Sequence, residues 1–432
     1  MEKEEVKVQI PALFSAGRLD IEPGKLTGAV RVPQSKSMAH RALIMAFLSG
    51  DISLAKIQKE NVSDDIRATE AALIKLSSAD PKEEGPVIID CKESGSTLRF
   101  LIPLVAVLGI HTRFIGSGRL PNRPVREYEK VFDGNGAQMI YVDQTGLSLP
   151  LEIRGRLLPG EYELPGNVSS QYISGLLMAL SALEGPSRLR LTTELESRPY
   201  VDMTCQVMEE FGVHVAQEAN GYYLAGLSKP SRKIPYDVEC DYSQAAFWLV
   251  GNYLGAAVVL EGLPKKTFQG DRAIENLLSG LLSAEESSEE NALSVFEMDA
   301  KDVPDLVPVF SVAAAATGCE THIIHGERLR LKESDRIAST ADMLKVLGAD
   351  VTITDDGLII RGKSIRRNGS VFSGGTINSY KDHRLVMASA IAAIGAKEKI
   401  SILDPVAVEK SYPGFFEDYL NLGGRIYGIN VG

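Results

Sequence analysis

Residues 343–362 read MLKVLGADVTITDDGLIIRG. A short amphipathic helix ends at Gly348, a strand follows, Asp355-Asp356-Gly357 turns the chain, and a second strand runs back. The same order returns at residues 207–226, VMEEFGVHVAQEANGYYLAG, with Asn220-Gly221 at the turn. It returns again at residues 131–155, VFDGNGAQMIYVDQTGLSLPLEIRG, with Gln144-Thr145-Gly146 there. Looser copies occupy about 71–91, about 274–298 and the stretch from Tyr419 onward.

A second element alternates with this one. Six times a polar segment runs into an apolar, Ala- and Leu-rich helix: SKSMAHRALIMAFLSG from Ser35, SGSTLRFLIPLVAVLG from Ser94, SSQYISGLLMALSAL from Ser169, YSQAAFWLVGNYLGA from Tyr242, PDLVPVFSVAAAATG from Pro304 and YKDHRLVMASAIAAIG from Tyr380. Helices apolar on most sides belong in a core. Together the two elements make six units of roughly 60 to 75 residues, too large for a solenoid repeat. An α/β (α+β) architecture follows, with units clustered around buried helices, three to a domain in two domains. The polar residues all precede their helices. Those N-termini are therefore expected to converge on the face between the domains and concentrate positive potential in a cleft.

The 432 residues are 44% hydrophobic and 24% charged, an ordinary globular balance. The longest apolar run, residues 100–110, is interrupted by Pro103 and falls short of the roughly 20 residues of a membrane span. A soluble protein with no membrane partner is expected. The opening MEKEEVKVQI has no apolar core of a signal peptide. Cys91, Cys205, Cys240 and Cys319 are scattered without metal-like spacing, which suits reduced thiols in the cytoplasm and no metal. A net charge of -11 argues against a nucleic-acid partner. Basic residues inside the Ser/Gly-rich stretches point instead to a small anion.

Residues 32–50 carry Lys36, Ser37 and Arg41 at the start of a buried helix, with Gly50 as its stop. Ser37 and Arg41 are four residues apart and share a face. Ser94-Gly95-Ser96-Thr97 with Arg99 has the small residues of an anion nest, although such a run before a helix is usually a cap. Residues 116–124, GSGRLPNRP, hold Arg119 and Arg123. Gly166-Asn167-Val168-Ser169-Ser170-Gln171 offers two hydroxyls and an amide to phosphate or a hydroxylated ring, and Ser197 and Tyr200 lie close to a strand end. Lys332-Glu333-Ser334-Asp335-Arg336 is the densest ionic cluster. On a helix Lys332 and Arg336 share a face, and Glu333 either pairs or donates a proton. Lys381-Asp382-His383-Arg384 repeats the theme, and Lys410 adds a late cation. Asp305 precedes an apolar run, where desolvation would raise its pKa; it equally suits a cap. Residues 357–364 satisfy GxxxxGK[ST], but the middle reads as a strand with no helix to follow, so nucleotide binding is rejected.

VPQSKSMAHRAL, ESGSTLRFL, LPNRPV, GNVSSQYISGLLMAL, SRPYVDMT, RLKESDRI, KDHRLVMA and EKSYPGFFEDY stand in the order found in the 5-enolpyruvylshikimate-3-phosphate synthase family, which the chain resembles from about Leu26 to Tyr419. The resemblance implies the two-domain enolpyruvyl transferase fold, each domain three βαβαββ units: residues 1–33 with 240–432, and residues 34–239. It implies transfer of the enolpyruvyl group of phosphoenolpyruvate to the 5-hydroxyl of shikimate 3-phosphate, through a tetrahedral intermediate that eliminates phosphate, with no cofactor or metal. By motif, Lys36, Ser37, Arg41, Ser169, Ser170, Gln171, Ser197, Tyr200, Asp305 and Lys332 look like shikimate-phosphate contacts. Lys36, Gly95, Arg123, Gln171, Arg336, Arg384 and Lys410 look like phosphoenolpyruvate contacts. Asp305 is similar to the family's base, Glu333 to its acid, and Lys36 shares the proton transfers. A monomer whose domains close on small-molecule substrates is expected, Lys36 to Arg41 lying next to a hinge.

Glu93 stands where the family commonly has Asn, and Arg328 where some members use Asn. Gly95 is kept, so a phosphoenolpyruvate mimic such as glyphosate is expected to fit. The sister family that uses UDP-N-acetylglucosamine carries a reactive Cys before its Arg-Pro motif; here the loop is Gly116-Ser117-Gly118-Arg119-Leu120. A non-catalytic anion binder on the same fold would need no acid–base carboxylates.

Overall fold

The computed structural model describes residues 17–80, 85–143, 146–226, 229–287 and 293–429. They form two compact units. One, inner in sequence only, comprises residues 33–241 and 263–270; the other, outer in sequence only, comprises the remaining described residues. The segment 263–270 goes with the inner unit, away from the 239/240 boundary expected in sequence. Gln269 Nε2 donates to Glu239 Oε1 at 2.6 Å and to the Cys240 carbonyl at 2.8 Å.

The inner unit holds helices α1 (Lys36–Leu48), α2 (Asp64–Ser77), α3 (Gly95–Leu108), α4 (Glu127–Phe132), α5 (Ser170–Leu180) and α6 (Arg198–Glu210). Its two four-stranded sheets share one design. Val87–Asp90 runs parallel to Thr112–Ile115, which pairs antiparallel with Leu151–Gly155, and that with Ala137–Tyr141. Glu161–Leu164, Ser187–Leu191, Gly221–Leu224 and Ala216–Glu218 repeat the order. In each sheet the crossover between the parallel strands is a buried helix, α3 or α5. Parallel neighbours require such a crossover. The run 101–107 of α3 is no more than 2% exposed, Pro103 included among the buried residues. The third copy is reduced to a short parallel pair, Ala55–Lys56 with Tyr236–Asp237, a departure from three equal units. Of the third expected turn, Gln144 and Thr145 lie outside the described residues.

The outer unit holds α7 (Tyr242–Tyr253), α8 (Ile274–Glu286), α9 (Val307–Ala315), α10 (Arg336–Val346), α11 (Ile365–Asn368), α12 (His383–Ala392) and α13 (Phe415–Asn421). Val295–Asp299, Glu320–Ile324, Leu358–Arg361 and Asp350–Ile353 form the same mixed sheet around crossover α9. The second sheet takes Gly375–Asn378 and Ile400–Leu403 around α12, then draws its third strand from Arg18–Ile21 and its fourth from Ile426–Ile429. Thr27–Arg31 and Ala257–Glu261 make a parallel pair. The GxxxxGK[ST] match falls on strand Leu358–Arg361. The four-residue α11 does follow it, contrary to expectation. Backbone crowds the match at Gly362, where a Cβ would meet the carbonyls of Thr317 and Ala314, so no phosphate cradle forms. Among the described residues no helix is long and apolar enough to cross a membrane, and no group of three or more His, Cys, Asp or Glu is placed to hold a metal.

Candidate active site

In the inner unit four helix N-termini carry the residues singled out in sequence. Ser35 caps α1, its hydroxyl accepting from Met38 N, and Lys36 follows. Lys36 N donates to Asp241 Oδ2 at 3.0 Å and its Nζ bonds Asp65 Oδ2 at 2.9 Å. One turn on, Arg41 is buried; its Nη1 donates to the Ser37 carbonyl (2.6 Å), its Nε to Thr204 Oγ1 (2.7 Å) and its Nη2 to the Tyr200 carbonyl (2.8 Å). These bonds tie α1 to α6. Burial lowers Arg41 to about 10, still protonated at neutral pH.

Ser94 caps α3, and Gly95 begins it. A Cβ on Gly95 would lie 2.7 Å from Arg123 Cζ, so the guanidinium is seated where only glycine leaves room. Ser169 caps α5 by accepting from Gln171 N. The Gln171 amide ties α5 to α3 twice: Nε2 donates to Ser96 Oγ at 2.9 Å, while Oε1 accepts from Arg99 Nη1 at 2.7 Å. Arg99 Nη2 also reaches the carbonyl of Pro124, next to Arg123. Ser170 is largely buried at the first position of α5. Ser197, at the head of α6, takes a left-handed conformation with φ +54°, unfavourable for a non-glycine residue. Glu93 lies against Gly118, where a Cβ would meet its carboxylate.

The outer unit gathers a second cluster from chain segments far apart in sequence. Arg336, at the first position of α10 and fully buried, is bonded by three carboxylates: Asp305 (2.7 Å), Glu333 (2.8 Å) and Asp382 (2.9 Å). Arg384 donates to Asp305 Oδ2 at 2.7 Å and to Ser243 Oγ at 3.3 Å. Lys332 Nζ stands 3.9 Å from Asp305 Oδ1. Lys410 Nζ donates to the Lys381 carbonyl at 2.9 Å. Arg328 is held by the Lys301 carbonyl at 2.7 Å.

Two expectations are corrected here. Lys332 and Arg336 do not share a helix face. A 3-10 turn ends at Leu331, Lys332 is extended, and Asp335 caps α10 by accepting from Ala338 N. The capping carboxylate starts the helix too late to include Lys332. Asp305 does not have a raised pKa. Burial alone would raise it, but Arg384, Lys332 and Arg336 outweigh burial and hold the carboxyl well below its usual range. Lys332 is pushed down to about 8 by burial, with Asp305 opposing and Arg336 adding to the shift.

Sequence reasoning assigned no role to Asp65, Thr204, Ser243 or Asp382. Asp65 follows Ser63-Asp64 in what reads as an ordinary cap. Asp382 stands in the ionic run Lys381-Asp382-His383-Arg384. Only the fold shows that its carboxylate reaches Arg336.

The chain matches the family model for EPSP synthase (3-phosphoshikimate 1-carboxyvinyltransferase) over residues 21–419. The chain belongs to the EPSP synthase family. A 3-phosphoshikimate 1-carboxyvinyltransferase of Clostridium perfringens is 39% identical over 429 residues, covering 94% of this chain and 99% of the relative. One from Clostridium kluyveri is 39% identical over 434 residues, covering 96% and 99%. The EPSP synthase of Acinetobacter baumannii superposes with a TM-score of 0.70 at 25% identity, covering 95% of this chain and 99% of its own. The enolpyruvyl transferase NikO from Streptomyces tendae shares the fold, with a TM-score of 0.68 at 18% identity, covering 95% and 98%. This chain thus has the two-domain enolpyruvyl transferase fold, and its two clusters sit on an EPSP synthase framework.

Proposed function

We infer that this protein is an EPSP synthase that transfers the enolpyruvyl group of phosphoenolpyruvate to the 5-hydroxyl of shikimate 3-phosphate and releases phosphate. The observation that carries the reading is the cluster at Asp305. In a chain of this family, one carboxylate is bonded by two arginines beside a lysine and a second carboxylate. Both substrates are polyanions, so their reaction needs fixed cations and donors, with carboxyl groups to move two protons.

In this reading Lys36, Ser37, Arg41, Ser169, Ser170, Gln171, Ser197 and Tyr200 of the inner unit hold shikimate 3-phosphate, together with Asp305 and Lys332. Gly95, Arg123, Arg336, Arg384 and Lys410 hold phosphoenolpyruvate, and Lys36 and Gln171 contact both. When anionic substrate oxygens take over Arg384 and Arg336, Asp305 loses the charges that stabilise its ionised form. Its proton affinity rises and it can accept the proton of the attacking 5-hydroxyl. Glu333 supplies the proton to the methylene carbon, making C2 electrophilic. The tetrahedral intermediate then returns a methyl proton to the Glu333 carboxylate, re-forms the carbon–carbon double bond and expels phosphate into the arginines. The protein acts as a monomer in the cytoplasm.

Phosphate release from phosphoenolpyruvate tests the reading, with shikimate 3-phosphate and UDP-N-acetylglucosamine compared as acceptors. Turnover with shikimate 3-phosphate is expected; turnover with the sugar nucleotide alone, or with neither, overturns it.

A further inference from the structure

The sequence pattern leaves α2 without a functional residue, yet α2 grips the first turns of α1 and α3. Asp65 Oδ2 lies 2.9 Å from Lys36 Nζ, both side chains being mostly buried at 14% and 16% exposure. The main-chain carbonyl of Asp65 is 3.3 Å from Thr97 Oγ1, which also lies 2.7 Å from Ser94 Oγ, the cap of α3. One turn along α2, Thr69 Oγ1 bridges His40 Nδ1 of α1 (2.8 Å) and Thr97 Oγ1 of α3 (2.7 Å). Burial holds His40 well below its usual pKa, so this chain of bonds is neutral at pH 7. The hydroxyl chain fixes how α2 sits on the other two helices. Asp65 is thereby set opposite Lys36 by its own backbone.

Arg41 and Arg99 each have a planar fork held by hydroxyl, amide or carbonyl oxygens. Lys36 differs. An ammonium on four methylenes is a point charge with no fixed direction of its own, and one of its partners is a full carboxylate.

We propose that Asp65 is a positioning residue for the transfer reaction, its carboxylate fixing the direction of the Lys36 ammonium while offsetting part of the positive charge that draws anionic substrates in. The proposal rests on Lys36 being a substrate contact. The two effects of Asp65 oppose each other. Loss of its charge leaves a more cationic cluster, which binds substrate anions at least as well in the ground state. Loss of its grip removes one constraint on the direction of Lys36, which lowers turnover.

The test compares the full-length wild type with Asp65→Asn, Asp65→Glu and Lys36→Met, measuring kcat, KM for each substrate and the thermal midpoint. Asp65→Asn is expected to lower kcat by about tenfold with KM for both substrates unchanged or lower and the midpoint preserved. Asp65→Glu is expected to recover most of the lost kcat, and Lys36→Met to be inactive. A wild-type kcat in Asp65→Asn beside an inactive Lys36→Met overturns the role of Asp65 alone. Activity in Lys36→Met overturns the assignment of Lys36, and the role of Asp65 with it. A fall in kcat with a lowered midpoint and no recovery in Asp65→Glu assigns Asp65 to folding and also overturns the proposal.

Discussion

Arg384 holds Asp305 twice: Nη2 donates to the carboxylate Oδ2 at 2.7 Å and Nη1 to the main-chain carbonyl of the same residue at 3.1 Å. The side-chain bond competes with any anion that needs the guanidinium, while the backbone bond does not. Asp305→Asn removes that competition along with the proposed base. Its kcat is expected to fall by about 10²–10⁴, the usual worth of a general base, while KM for phosphoenolpyruvate stays level or drops. Steady-state phosphate release checks both, and a kcat within threefold of wild type would remove Asp305 from its role.

Burial in the cluster pushes the Lys332 ammonium down to about 8 from 10.5. In the proposed reaction its ammonium stands beside the reacting hydroxyl, so kcat/KM for shikimate 3-phosphate is expected to decline as pH rises through about 8. Lys332→Arg should move that limb upward, beyond the measurable range. The linkage has a definite sign. The unfolded chain binds more protons between pH 8 and 10.5, so the cost of burying this charge is fully present below pH 8 and vanishes towards 10.5. A pH–rate profile identical in the two proteins would exclude Lys332 as the titrating group.

Gly95→Ala would place a methyl 2.7 Å from the Arg123 guanidinium. Alanine suits the first turn of α3 at least as well as glycine, so the fold is kept and the movable arginine shifts instead. KM for phosphoenolpyruvate should rise about tenfold if one charged contact is weakened by about 1.4 kcal/mol. Glyphosate should lose potency in parallel. The measurements are KM and inhibition by glyphosate in both proteins, and unchanged values would separate Arg123 from this pocket.

Asp418 accepts from Tyr412 Oη at 2.6 Å, and burial raises its pKa to about 6 against 3.8. Since the folded value is the higher, stability is lost as pH climbs from about 4 to 6 and the carboxyl ionises in place. Asp418→Asn keeps an acceptor for Tyr412 and cannot ionise. It should stabilise the protein by about 1–2 kcal/mol at pH 7 and by little near pH 4. Urea unfolding at the two pH values decides this; equal effects at both would mean the charge is not the cause.

The buried helices were legible because runs such as residues 100–108 have no polar face to expose, and the hairpins because Asn220-Gly221 and Asp355-Asp356-Gly357 fix local turns. The strand at Arg18–Ile21 was not legible: its neighbours Ile400–Leu403 and Ile426–Ile429 come from the other end of the chain, beyond any local period. Residues at helix starts, such as Lys36 and Arg384, stood out as polar groups before apolar runs. What Asp305 does with three basic side chains did not, because Lys332, Arg336 and Arg384 reach it from two distant segments. Desolvation was visible in the sequence, and the charges that overcome it were not.

The strand at Arg18–Ile21 also imposes an order on biosynthesis. It is made before the inner unit, but both of its partners, Ile400–Leu403 and Ile426–Ile429, are made only after it. The inner unit, apart from 263–270, is one continuous insert between the two and can collapse while the outer sheet is still missing strands. During that interval an unpaired edge waits upstream of the inner unit, exposed to aggregation until its partner strands are made.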